Sequence, residues 1–134
     1  NYKVICITNQ SGIARGLFTE SDFHDFMGKI NKELKLSIGF ELDSYYYCPH
    51  HPEGKIKQFS FVCNCRKPAT GLFDMAMNYY NVDVRKSIFI GDKLTDLKAA
   101  ELMEIRNLYL FSKVIYKSIP KQYTQIDDLA NIRL

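Results

Sequence analysis

Long apolar runs are missing from this chain of 134 residues. Nothing approaches the roughly 18–20 consecutive apolar residues that a membrane-crossing helix needs. No signal peptide is visible either, and the first residue is Asn1, not methionine. Blocks of basic charge are also missing. The 18 Lys and Arg stand against 15 Asp and Glu, a formal charge of +3, and the cations are scattered. That removes the electrostatic case for nucleic acid. There are no repeats, low-complexity tracts or linkers, so 1–134 reads as a single domain. Cysteine is scarce, and three of the four fall between positions 48 and 65. Cys6 sits alone in an apolar segment. This usage suits a reducing compartment, the cytoplasm, better than one that forms disulfides.

What is present is concentrated in Tyr47–Lys67, reading YCPHHPEGKIKQFSFVCNCRK. Cys48 and His50 form a Cys-x-His pair, twelve residues follow, and Cys63 and Cys65 form a Cys-x-Cys pair. Three thiolates and one imidazole are the donor set of a four-coordinate structural Zn²⁺. Each pair can supply two ligands from one tight turn. The plainer alternative is a group of reduced, buried cysteines, and His51 competes with His50 as the imidazole. Arg66 and Lys67 follow the last ligand directly, so a bound metal would fix two cations in space.

The rest of the chain alternates strand and helix signals. Val4–Ile7 is a short β-branched run that reads as a buried parallel strand, and the small polar residues from Thr8 to Gly12 break it. Through Arg15 and Gly16 a loop leads to Thr19, an N-cap with Asp22 three positions on. Phe23, Phe26, Met27, Ile30 and Leu34 then mark an amphipathic helix over Glu20–Lys35, with His24 off its apolar face as a solvated side chain. Leu42–Tyr47 reads as the second strand. Thr70 caps a helix carrying Leu72, Phe73, Ala76, Met77 and Tyr80. Ser87–Ile90 is the third strand and leads through Asp92 into a helix with Leu97, Ala100 and Leu102. Leu108–Phe111 is the fourth strand, and Tyr123–Leu134 holds a short strand and a helical end. Such alternation predicts an α/β three-layer sandwich around a parallel Rossmann-like sheet.

Ligands of open α/β sheets bind at the carboxyl ends of strands. Thr8 and Asn9 end the first strand, Asp92 and Lys93 the third, and the zinc loop with Arg66 and Lys67 follows the second. A hydroxyl, an amide, several cations and a carboxylate suit a phosphate with a divalent cation. Thr8 and Asn9 would donate hydrogen bonds, Lys67 would neutralise charge, and Asp92 is a hard oxygen ligand of the kind Mg²⁺ takes. The plain readings are a strand-ending turn at Thr8, an ordinary loop at Gly91-Asp92 with Asp96 starting a helix, and surface charge at Arg66-Lys67.

In order, the runs TNQSGIARG (8–16), YCPHHPEG (47–54), CNCRKP (63–68) and GDK (91–93) with Asp96 resemble the D-glycero-D-manno-heptose-1,7-bisphosphate phosphatase family. That family belongs to the haloacid dehalogenase superfamily and shares its zinc loop with histidinol-phosphate phosphatases. The resemblance spans Val4 to Ala100. It implies a domain without a large cap, with Thr8 holding the transferring phosphoryl group and Lys67 stabilising it. Asn9, Gln10, Ser11, Arg66 and Lys93 would bind substrate. Asp92 would bind catalytic Mg²⁺ and Asp96 would support its shell, while Cys48, His50, Cys63 and Cys65 would hold structural Zn²⁺. The implied substrate is a sugar bisphosphate losing its C7 phosphate through an aspartyl-phosphate, in the synthesis of surface-polysaccharide precursors. Histidinol phosphate is the alternative substrate.

One expected motif is absent. The family's nucleophile and its acid/base lie in an Asp-x-Asp motif upstream of the first strand seen here, and no Asp-x-Asp occurs in this chain. The expectation is an amino-terminally incomplete record of a longer phosphatase, inactive alone and with strand edges exposed. The intact protein would be a monomer, the truncated one an oligomer or a swapped edge. The reading from another class is a non-catalytic, zinc-stabilised phosphate-binding module.

Overall fold

The computed structural model describes residues 2–132. Its strands are all parallel and, except between the last two, alternate with helices as the sequence pattern predicts, but among the described residues they lie in two sheets of two and three strands. The chain divides into two compact units, Asn1–Arg66 and Lys67–Leu134. Among the described residues no helix is long and apolar enough to cross a membrane.

The first unit runs β1 (Ile5–Asn9), a one-turn helix α1 (Ser11–Ala14), α2 (Glu20–Ile38), β2 (Ser44–Cys48) and a 3-10 turn at Lys57–Phe59. Expected as an interruption, Thr8 and Asn9 instead stay in the strand, because the ladder with β2 continues through them. Thr8 lies opposite Tyr47, and Asn9 opposite Cys48. Cross-strand pairing outweighs their local turn preference. With β2 as its one ladder neighbour among the described residues, β1 is half-buried throughout, less than a central strand would be.

Helix α2 opens on a capping box. The amide of Asp22 donates to Thr19 Oγ1 at 3.1 Å, and the amide of Thr19 donates to Asp22 Oδ2 at 2.8 Å. The helix continues past Lys35 to Ile38 and stops at Gly39, whose φ of 70° is left-handed. Phe23 and Met27 are buried against Ile13, but Phe26 is 56% exposed. At about 100° per residue Phe26 points roughly 60° away from Phe23, outside the stripe of positions 23, 27, 30 and 34. Nor is His24 simply solvated. Its Nδ1 lies 2.9 Å from Tyr45 Oη and its Nε2 3.2 Å from Tyr47 Oη. Tyr47 in turn donates to Glu20 Oε1 at 2.7 Å. Alternate residues of β2 face one side of α2, one helical turn apart, so two tyrosines meet one carboxylate and one imidazole. Burial first, and then the Glu20 carboxylate, push Tyr47 up to about 12.

The second unit runs α3 (Gly71–Tyr80), β3 (Ile88–Gly91), α4 (Leu94–Leu102), β4 (Asn107–Phe111), β5 (Tyr123–Ile126) and a 3-10 turn at Leu129–Asn131. The expected strand and helical end after Tyr123 are both present; its last two positions, 133 and 134, lie outside the described residues. The strand order is β3-β4-β5. Leu97, Leu108, Leu110 and Ile126 are buried, whereas Ile90 on the end strand is 41% exposed. Thr70 precedes α3 but does not cap it through its oxygen; its hydroxyl donates to Asp74 Oδ2 at 3.3 Å. At the end of β3 a Cβ on Gly91 would lie 2.7 Å from Asp96 Cβ and 3.0 Å from Leu97 Cδ1. Glycine there lets the strand end meet the first turn of α4, where Asp96 sits.

Candidate metal centre and phosphate-binding residues

Strand β2 ends on Cys48, which is fully buried, and the chain turns at Pro49 to bring His50 back beside it. Cys63 and Cys65 approach from the far end of the loop. The four donor atoms lie within 4.8 Å of one another. Cys48 Sγ is 3.5 Å from Cys63 Sγ, Cys65 Sγ is 3.3 Å from Cys63 Sγ, and His50 Nδ1 is 3.3 Å from Cys65 Sγ. A tetrahedral zinc with bonds of about 2.0–2.3 Å has ligand-to-ligand edges of about 3.3–3.8 Å. The group fits that ion in both donor type and spacing, and a zinc here would cross-link the two ends of the loop.

The other imidazole is occupied elsewhere. His51 Nδ1 accepts the Glu53 amide at 3.1 Å, and its Nε2 faces Arg15. Burial pushes the Cys48 and Cys65 thiols up and the His50 imidazole down. At Cys63 burial raises as well, but hydrogen bonds from Cys65, Cys48 and backbone amides outweigh it and bring that thiol down. Of the three thiols Cys63 is therefore the one that gives up its proton most readily, and metal binding displaces protons from sulfur.

Backbone hydrogen bonds tie the metal loop to α1. The Ala14 carbonyl accepts both the Lys55 amide at 2.7 Å and the Ile56 amide at 2.9 Å. The Ala14 amide donates to Pro49 O at 3.2 Å, and the Gln10 amide to Cys48 O at 2.8 Å. Gly54 makes this approach possible: a Cβ there would lie 2.9 Å from both Cβ and O of Ala14, and 2.5 Å from Ser60 Oγ. Ser60 can rotate, but the Ala14 carbonyl is fixed by its two donors. Gly54→Ala is expected to cost about 1–3 kcal/mol and to lower the thermal midpoint by several degrees. An unchanged midpoint would show that the loop yields at no cost.

The phosphate-binding candidates of the first unit gather at the carboxyl ends of β1 and β2. Gln10 Nε2 donates to Thr8 Oγ1 at 3.0 Å, Ser11 opens α1, and Asn9 ends the ladder opposite Cys48. Arg66 Nη1 reaches His50 O at 3.4 Å. In the second unit Lys67 Nζ pairs with Asp96 Oδ1 at 3.0 Å, with side chains 7% and 9% exposed. The other carboxylate oxygen of Asp96 accepts the Lys93 amide at 3.2 Å. Both oxygens of Asp96 are therefore engaged, and it fixes the lysine head while closing the first turn of α4. Asp92, one residue past β3, is exposed, as is Lys93. The Lys67–Asp96 pair and the Arg15–His51 contact had no signal in the sequence, because the partners are 29 and 36 positions apart.

Comparisons with known proteins give the family and the fold. The family model described as polynucleotide kinase 3 phosphatase matches residues 1–129. A D-glycero-beta-D-manno-heptose-1,7-bisphosphate 7-phosphatase of Escherichia coli O6:H1 is 44% identical over 99 residues, covering 74% of this chain and 52% of that protein. A relative of the same name from Photorhabdus laumondii is 37% identical over 131 residues, covering 98% of this chain and 66% of the relative. Among solved structures, one described as a HAD-like phosphatase from Mesorhizobium loti superposes with a TM-score of 0.83 at 27% identity, covering 96% of this chain and 61% of that one. The D,D-heptose 1,7-bisphosphate phosphatase of B. bronchiseptica, complexed with magnesium and phosphate, superposes with a TM-score of 0.73 at 28% identity, covering 96% and 70%. The fold is thus that of HAD-like phosphatases, and the chain spans about half to two thirds of the length of the curated relatives it matches.

Proposed function

Because this chain belongs to the polynucleotide kinase 3 phosphatase family, we propose that it carries the phosphate-binding and metal-binding part of a sugar-bisphosphate phosphatase. The substrate is D-glycero-D-manno-heptose 1,7-bisphosphate, from which the C7 phosphate is released. The observation that carries the reading is the buried Lys67–Asp96 pair at 3.0 Å. An ammonium held in a low-dielectric site at the entry to α4 is preorganised for charge that develops on a phosphoryl group. Heptose bisphosphate as substrate is supported by relatives of that name at 37–44% identity.

In this reading Thr8, oriented by Gln10 Nε2, donates its hydroxyl proton to a phosphoryl oxygen. Asn9, Gln10 and Ser11 line the substrate, and Arg66 and Lys93 add positive charge around it. Lys67 neutralises the transferring group, held in place by Asp96. Asp92 would hold Mg²⁺, which when bound supplies Lewis-acid charge neutralisation at the phosphate. Cys48, His50, Cys63 and Cys65 hold Zn²⁺ and thereby the shape of the loop. One match running from residue 1 to 129 supports treating both units as parts of one domain. The protein works in the cytoplasm and as a monomer when intact.

No aspartate among these residues is placed as nucleophile. The chain taken alone is therefore expected to release no phosphate from heptose 1,7-bisphosphate above a zinc-only control, whereas the intact protein releases it and spares histidinol phosphate. Turnover by the 134-residue chain, or a preference of the intact protein for histidinol phosphate, would overturn this assignment.

A further inference from the structure

The contact between Arg15 and His51 pairs two donors. Glu53 presents its backbone N–H to His51 Nδ1 at 3.1 Å, and a backbone amide cannot turn away. A neutral imidazole that accepts at one nitrogen carries its proton on the other, so Nε2 is an N–H donor. Yet what faces Nε2, at 3.4 Å, is Nη2 of Arg15, also a donor. Neither group has a carboxylate partner among the described ion pairs. Arg66 reaches the carbonyl of the adjacent residue, His50, at 3.4 Å. Two donors facing one another call for an acceptor between or above them. Two guanidinium groups flanking one dipeptide call for that acceptor to be negatively charged.

We propose that Arg15 and the Nε2–H of His51 form an anion subsite for the second phosphate of the substrate, the one that is not hydrolysed. The proposal rests on the sugar-bisphosphate reading above and deepens it. One phosphate oxygen accepts from both donors, and a second reaches the remaining guanidinium N–H groups of Arg15. The position suits the task. Arg15 terminates α1, whose first residue is Ser11, so the subsite lies one short helical turn, about 6 Å, beyond the phosphate-binding end of β1. The hydrogen bonds from Lys55 and Ile56 to the Ala14 carbonyl hold that turn against the metal loop. The separation between Thr8 and Arg15 is thus set by the fold, and a substrate is selected by whether its two phosphates span it.

The test uses the intact protein and compares kcat/KM for heptose 1,7-bisphosphate with that for heptose 7-phosphate. The wild type is expected to prefer the bisphosphate. Arg15→Gln is expected to lower kcat/KM for the bisphosphate about tenfold, through KM, while the monophosphate value and the zinc content stay the same. Arg15→Lys should recover part of the preference, and His51→Phe should shift the ratio in the same direction as Arg15→Gln. Equal losses on both substrates would assign Arg15 to holding the loop, and an unchanged ratio in Arg15→Gln or in His51→Phe would remove the subsite; either overturns the proposal and leaves the phosphatase reading standing. A wild type without preference for the bisphosphate overturns the substrate reading, and the subsite falls with it.

Discussion

Stripping the metal with a chelator is expected to unfold residues 1–66 while the β3-β4-β5 sheet keeps its hydrogen bonds. Within the first unit the described apolar contacts are few. Its sheet has two strands, and its buried apolar cluster consists of Ile13, Phe23 and Met27 with partly buried neighbours. A two-stranded sheet is marginal in water. A structural zinc contributes on the order of 10 kcal/mol or more, comparable to the whole stability of an ordinary domain. The ligands also come from two loop ends separated by twelve residues, so the ion closes the loop as well as binding it. Hydrogen exchange should show the amides of β1 and β2, and that of Gln10 which donates to Cys48 O, losing protection in the chelated protein. Amides of β4 should be unaffected. Equal protection of β1 with and without metal would show that the apolar contacts suffice.

The second large effect is an asymmetry at Lys67 and Asp96. Asp96→Ala takes away the carboxylate that lies 3.0 Å from an ammonium only 7% exposed, and it also removes the acceptor of the Lys93 amide. The expected loss is about 3–5 kcal/mol, read as a lower urea midpoint. Replacing both partners by Lys67→Met with Asp96→Leu should cost far less, because two apolar side chains of similar volume remove the charge together with its need for a partner. Activity should not follow stability. Both variants are expected to lose about 10²–10³-fold or more in phosphate release by the intact protein, since neither presents a positioned ammonium. A stable double variant that keeps its activity would refute the role given to Lys67.

Most of the fold was legible because each element carries a local signal. β-branched runs mark β1 and β3, and the Thr19–Asp22 box marks the start of α2. Legibility failed where tertiary pairing decides. Thr8 and Asn9 look like a break in the strand but form its last two rungs, because Tyr47 and Cys48 lie opposite them. Phe26 belongs to an apolar pattern but lies off the buried stripe, and α1 is too short to show a period. The candidate metal ligands could be picked out from spacing, since a Cys-x-His pair and a Cys-x-Cys pair at the two ends of one loop have few other uses. Choosing His50 over His51 needed coordinates, because adjacent residues share every sequence property. Nothing in the sequence marks His24 as more than a surface residue either; its tyrosine partners come from a strand 21 and 23 positions away.

The double acceptance at the Ala14 carbonyl has a consequence for how this loop can vary among descendants. Lys55 and Ile56 must both arrive at one oxygen, and Gly54 must pass Ala14 without a Cβ. Insertions or deletions between Pro52 and Ile56 would therefore move α1 and everything anchored on it. Past the 3-10 turn that ends at Phe59, the segment of Phe61 and Val62 is exposed, at 46% and 82%, and among the described residues no backbone hydrogen bond of the kind made at Ala14 holds it before Cys63. Changes in loop length that the fold tolerates should accumulate between Phe59 and Cys63 and be rare before Lys57, a bias that a library of randomly inserted residues, sorted by stability, would expose directly.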